Sequence, residues 1–195
     1  MVSRPAGAVN RLPDYVELRR RVVEFLHRQG ADAVPHLRGT LTEHLEGTEG
    51  LLRAWGSSDA LALAGLCHAT YGTDGFAPSL LSLGKRAVLR DLVPAEVEDI
   101  VYFYASCDRK AVYPQLGNSN PVAFRDRFTD RVFEPTAAQL GQFVDLTLAN
   151  EIEITLIDSA IAGPPRWLTS LFAQMQDLAS PSVQRCVRQH LGDED

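Results

Sequence analysis

Cysteine is scarce in this chain of 195 residues: Cys67, Cys107 and Cys186 stand far apart, with no CxxC pair. An odd number at wide spacing excludes a disulfide framework and fits a reducing compartment, so a cytoplasmic protein is expected. Long apolar runs are missing too. None approaches the roughly 18 residues of a membrane span, and the opening MVSRPAGAVNRLPD lacks the apolar core of a signal peptide. No membrane partner is expected. Positive charge is in deficit. A net charge of −6 argues against nucleic acid, whose phosphates need a basic surface. The Walker A loop, GxGxxG and GxSxG are absent as well, which removes the commonest phosphate-loop and nucleophile-elbow chemistries.

What is present is apolar content at helical spacing. With 45% hydrophobic residues the chain can bury one core without disulfides, and no Gly/Ser/Pro-rich linker divides it. The expectation is an all-α, single-domain helical bundle over residues 12–192, after a disordered lead-in at 1–11 and before an acidic tail at 193–195. Tyr15, Leu18, Val22, Phe25 and Leu26 mark one face of a first helix that Gly30 ends. Leu41, His44, Leu45, Thr48 and Leu52 mark a second. Ser58 and Asp59 cap a third, LALAGLCHATY, apolar on most sides. Pro78 and Pro94 fall where further helices should begin. Residues 108–135, rich in turn residues, read as a long functional loop. Within it, FRDRFTDR is either an anion contact or a salt-bridged surface helix. Thr136 caps a long helix through about Asp158, and two helices follow, around 167–178 and 181–191. The face carrying Trp167, Leu171 and Phe172 could serve the core or a homo-oligomer.

Three histidines carry the chemistry. His44 and His68 lie on successive helices joined by the short link 56–59, so antiparallel packing should bring their imidazoles together. His68 ends a buried apolar helix, where an unpaired ring is costly; a metal, a carboxylate or a ligand must satisfy it. Neutral imidazoles suit transition metals, and His36 could complete a three-histidine set if its loop folds back. Asp108 could add a carboxylate or instead be an ion-pair element at a helix end. The polar pair Asn150-Glu151 interrupts the apolar LTLANEIEI and should face the same pocket. Tyr71 could donate its hydroxyl there or belong to the core. Arg38 and Arg109 could hold an anionic group. Cys67 and Cys107 read as buried structural thiols.

The stretch LTEHLEGTEGLLRAWGSSDALALAGLCHATYGTDGF resembles the first two metal-binding helices of HD-domain proteins. In shape it is closest to the RelA/SpoT-type alarmone hydrolases, and it resembles small helical proteins with an AGLxHAxYGT pattern. The resemblance spans roughly residues 14–160. It implies His44 and His68 as metal ligands, the His36-Leu37-Arg38-Gly39 segment as a nucleotide contact, and Asn150 at the position of the last metal-binding Asp. The departures are as informative. The HD pair reads His68-Ala69, the late Asp is Asn150, and the catalytic acidic pair becomes Tyr71-Gly72. Losing carboxylates should weaken a hard cation severely.

Together these readings predict an enzyme on a divergent HD-like scaffold with a His-rich pocket. It would bind Fe, Mn, Zn or Co and hydrolyse, or oxidise with oxygen, a small and anionic metabolite. Asn150, Glu151 and Tyr71 would orient substrate or water. The rival reading is a metal-free ligand-binding or regulatory module descended from such an enzyme.

Overall fold

The computed structural model describes residues 12, 14–36, 39–118, 121–162 and 164–192. The expected lead-in at 1–11, Arg38 and the acidic tail at 193–195 lie outside the described residues. Among those described, the fold is all-α and single-domain. Its helices are α1 (Tyr15–Arg28), α2 (Leu41–Ala54), α3 (Asp59–Cys67), α4 (Arg86–Arg90), α5 (Ala95–Ser106), α6 (Arg109–Val112), α7 (Ala137–Ala162), α8 (Arg166–Met175) and α9 (Pro181–Leu191). No described helix is long and apolar enough to cross a membrane.

The centre of the bundle is α3. Every residue from Ala60 to Cys67 is buried, because the helix has no polar face to turn outward. It packs against α2, α5 and α7. Capping sets the helix starts. Thr40 and Glu43 form a reciprocal capping box on α2, the Ser58 hydroxyl accepts from the Leu61 N–H on α3, and Thr136 and Gln139 exchange bonds at the start of α7; each satisfies donors that the first turn leaves open. On α8 and α9, Leu168, Phe172, Met175, Val183 and Val187 face inward. The buried Asp145 carboxylate accepts the Ser180 N–H at 2.9 Å, tying the start of α9 to α7. Trp167 remains 48% exposed.

Three expectations are corrected. Pro78 does not open a helix: the Leu80 and Leu81 N–H groups both donate to the Thr70 carbonyl, which holds this segment as an irregular strap until α4 begins. The 108–135 segment is not one long loop. It folds into α6 and a small hairpin, β3 (Phe124–Arg125) with β4 (Val132–Phe133). FRDRFTDR is accordingly no helix. Asp126 Oδ1 accepts from the Phe128 and Thr129 N–H groups to close the hairpin turn, and Arg125 pairs with Asp130. A second hairpin joins β1 (Pro35–His36) to β2 (Gly39–Thr40) and carries His36 to the front of α2. These two-residue strands are too short to show an alternating pattern in sequence.

Candidate functional site: a histidine-lined cavity

A cavity of about 290 Å³ opens where α2, α3, α7 and the 72–76 turn meet. Its lining includes His36, His44, His68, Arg109, Asn150 and Glu151. Two depressions are larger, about 590 and 440 Å³, but neither brings histidines together, so size does not decide the choice.

The antiparallel packing of α2 on α3 brings the two helical histidines into contact. His44 Nε2 lies 3.3 Å from His68 Nε2 and 3.1 Å from Asn150 Oδ1. The far side of each ring is anchored. His68 Nδ1 donates to the Gly65 carbonyl at 2.7 Å, and His44 Nδ1 contacts the Glu153 carboxylate. Asn150 is oriented in turn: its Nδ2 donates to Glu151 Oε1 at 3.2 Å, which leaves its Oδ1 for His44. With each Nδ1 carrying a proton, the two Nε2 atoms and the amide oxygen present three lone pairs to one another. A proton on His44 Nε2, a donating water molecule or a metal ion would each satisfy such a cluster. Burial, with the neighbouring His44 charge, lowers the His68 pKa to about 3 and favours its neutral ring.

The donor set fits one class of metal. Tetrahedral Zn–N bonds of about 2.0–2.1 Å put ligand atoms about 3.3 Å apart, close to the separations found. Anchoring the second ring nitrogen to a carboxylate or backbone carbonyl is how ligating imidazoles are fixed. Two imidazoles and an amide oxygen suit Zn, Fe(II) or Co(II) better than Mn, which prefers carboxylate oxygens.

His36 does not complete a three-histidine set. Its ring stacks on His44 with centroids 4.0 Å apart and planes 19° off parallel; lone pairs in stacked planes run side by side rather than to one point. Among the described residues no three His, Cys, Asp or Glu side chains are arranged to hold a metal, and the third donor here is an amide. Burial lowers the His36 pKa to about 4. Its other face meets Phe76 edge-on at 5.0 Å, so His36 and Phe76 form the lip of the cavity.

Asp108 lies elsewhere. Its carboxylate caps α6 by accepting the Ala111 N–H, and it faces Arg125 at 3.6 Å; this is the ion-pair and helix-end role. Tyr71 also points away, donating to Glu98 Oε1 at 2.9 Å. Arg109 does reach the cavity. Asp74 accepts its backbone N–H at 2.8 Å, and its guanidinium approaches Glu151 at 3.4 Å and the Tyr104 hydroxyl at 3.0 Å. Burial raises the Glu151 pKa above the usual carboxylate range against the opposing pull of Arg109. Burial also pushes the Cys67 and Cys107 thiols up to about 12, which makes them poor nucleophiles.

Glu153 was not among the residues the sequence singled out. The available signal was spacing: it follows Asn150 by three positions on one helical face, and Gly47 follows His44 by three. A Cβ at Gly47 would lie 2.8 Å from Glu153 Cγ, so only glycine lets this side chain pass to His44.

A protein family described only as a domain of unknown function (DUF6817) matches residues 25–109. The match covers less than half of the chain. It takes in His36, His44, His68 and Arg109 and stops before α7. No curated protein and no solved structure matches the chain.

Proposed function

We propose that this cavity is the centre of a metal-dependent hydrolase on a divergent HD-like scaffold, with His44, His68 and Asn150 holding a divalent ion of the Zn, Fe(II) or Co(II) class. One observation carries the reading: His44 Nε2, on a ring anchored through Nδ1, lies 3.3 Å from the anchored His68 Nε2 and 3.1 Å from Asn150 Oδ1, which gathers potential ligand atoms around one point. A bound metal would supply Lewis acidity and a nucleophilic water at neutral pH. The chain's own groups have separate tasks. Glu153 and the Gly65 carbonyl fix the two imidazoles, and Glu151 orients the Asn150 amide. His36 and Phe76, at the lip, narrow the access of bulk water, and Leu41 lines the cavity behind them.

A specific observation favours a second reading, a metal-free binding module. A proton on His44 Nε2, balanced by Glu153 on Nδ1, would satisfy the same acceptors. Elemental analysis of protein purified without chelators separates the two. The hydrolase reading expects about one transition metal per chain, a thermal shift on adding Zn, Fe(II) or Co(II), and loss of both in His44→Ala. Metal-free protein that no added ion stabilises overturns it.

A further inference from the structure

Arg109 is a charged side chain with donors left over inside the cavity. Its side chain is 23% exposed, and of the five N–H groups a guanidinium carries, two have partners among the described residues: Nη1 on Glu151 and Nη2 on the Tyr104 hydroxyl. The Glu151 contact is long, at 3.4 Å, and Glu151 Oε1 is shared with Asn150. Its planar fork is held in place. The Tyr104 and Tyr113 rings lie 5.7 and 5.6 Å from its central carbon, and Asp74 fixes its backbone. A half-buried, half-compensated guanidinium with free, preorganised donors is what recognises a planar or tetrahedral oxyanion.

We propose that Arg109 is the recognition residue of the cavity and takes the oxyanion of a small ligand, a carboxylate or a phosphate ester, whose apolar body rests on Phe76, Leu41 and Ile154. The cavity, about 290 Å³, sits at the lower end of the ligand-pocket range and admits a compact molecule. Glu151 is both a bridge and a competitor. It links Arg109 to Asn150, so a bound oxyanion lies beside the histidine cluster, and its carboxylate occupies a donor that the ligand would otherwise use. As a statement of substrate class, the inference rests on the hydrolase reading above; as a statement about binding, it stands apart from any metal.

The test is calorimetric titration of the full chain with benzoate, phenyl phosphate and the neutral benzyl alcohol, in chelator-stripped and metal-loaded protein. At least one anion should bind and benzyl alcohol should not; which anion binds identifies the ligand class. Arg109→Met should weaken anion binding about 10- to 100-fold, the value of hydrogen bonds to a charged group. Arg109→Lys, which keeps the charge and loses the fork, should lie between and guards against misfolding of the methionine variant. Glu151→Gln should strengthen binding, because it removes the competing charge while keeping an acceptor for Asn150. Anion binding should persist in the chelator-stripped parent protein. Anion binding by parent protein that takes up no added metal would sink the hydrolase reading alone. The proposal is overturned if neither anion binds up to about 10 mM, if benzyl alcohol binds equally, or if the folded Arg109 variants bind as the parent does.

Discussion

Replacing Glu98 by glutamine removes the negative charge on which Tyr71, Arg86 and Arg90 converge, and its cost can be worked from the geometry. The carboxylate is fully buried on α5. It accepts from the Tyr71 hydroxyl at 2.9 Å, from Arg86 Nε and Nη2 at 2.7 and 2.9 Å, and from Arg90 Nε at 2.7 Å. Breaking a buried ion pair costs about 3–5 kcal/mol when the partner is left stranded. Here the arginine side chains are 29% and 49% exposed and can rehydrate in place, and glutamine keeps one acceptor oxygen. We therefore expect about 2 kcal/mol, or a melting temperature lower by about 4–8 °C for a domain of this size. Burial pushes the Glu98 pKa up, but the bonds from Arg86, Arg90 and Tyr71 more than offset it, so its carboxyl titrates below the usual carboxylate range. A depressed pKa means that the stabilisation is present above the unfolded value, about 4.3, and is lost as pH falls through the folded one. Thermal melts of both proteins by circular dichroism should show the full gap at neutral pH and a shrinking gap below about pH 4. Glu151 and Asp145, raised by burial, act with the opposite sign but are common to both proteins and cancel in the difference. Coincident melts at neutral pH, or a gap that widens in acid, would refute the reasoning.

Gly117 has φ +73°, and a Cβ there would lie 2.1 Å from the Gln174 carbonyl oxygen. Gly117→Ala should therefore destabilise by about 2–4 kcal/mol; a melting temperature within a degree of the parent contradicts this. Glu153→Gln removes the charge behind His44 and should weaken metal binding about 10- to 100-fold by calorimetry, and an unchanged affinity would remove Glu153 from the centre. Ala69 lines the cavity and is 2% exposed. Ala69→Asp should lower the melting temperature of stripped protein, because it buries a charge, and should tighten Mn(II) binding by at least about tenfold; loss of stability without any gain in metal affinity counts against the proposed centre.

The parts of the fold readable in sequence are those set by local chemistry. Thr40, Ser58 and Thr136 each announce a helix start because the cap and its partner lie within three residues, and the all-apolar run of α3 announces its central place. The meeting of His44 with His68 was readable for the same reason: a short link leaves two helices little choice but antiparallel contact. Asn150 was readable as a polar break in an apolar helix. The failures involve partners distant in sequence. Tyr71 goes to Glu98, 27 positions away, and no local pattern distinguishes that from a bond into the pocket. The orientation of His36 depends on a hairpin of two residues per strand and on Phe76, so its stacking on His44 could not be anticipated from its position in the loop. Pro78 misled because proline suits a first helical turn and an irregular strap equally; the Thr70 carbonyl, which accepts two N–H groups, decides between them.

The altered residues also bear on the charge of the ligand. Where the HD resemblance would place carboxylates, the chain has Ala69 and Asn150, and its acids stand one step back, Glu153 behind His44 and Glu151 behind Asn150. In the proposed centre an ion would be held by neutral donors and keep more of its positive charge than a carboxylate cage would leave it. Arg109 adds a second cation across the same cavity, with Glu151 as its only carboxylate partner among the described residues. Both features favour an anionic ligand, and they do so independently, since one follows from the identity of the inner donors and the other from unused guanidinium N–H groups. Ala69→Asp couples them: the added carboxylate should tighten a metal while weakening benzoate or phenyl phosphate, through repulsion of like charges. Opposite signs in the two titrations would tie the histidine cluster and Arg109 to one site, whereas an anion affinity indifferent to the charge at residue 69 would separate them.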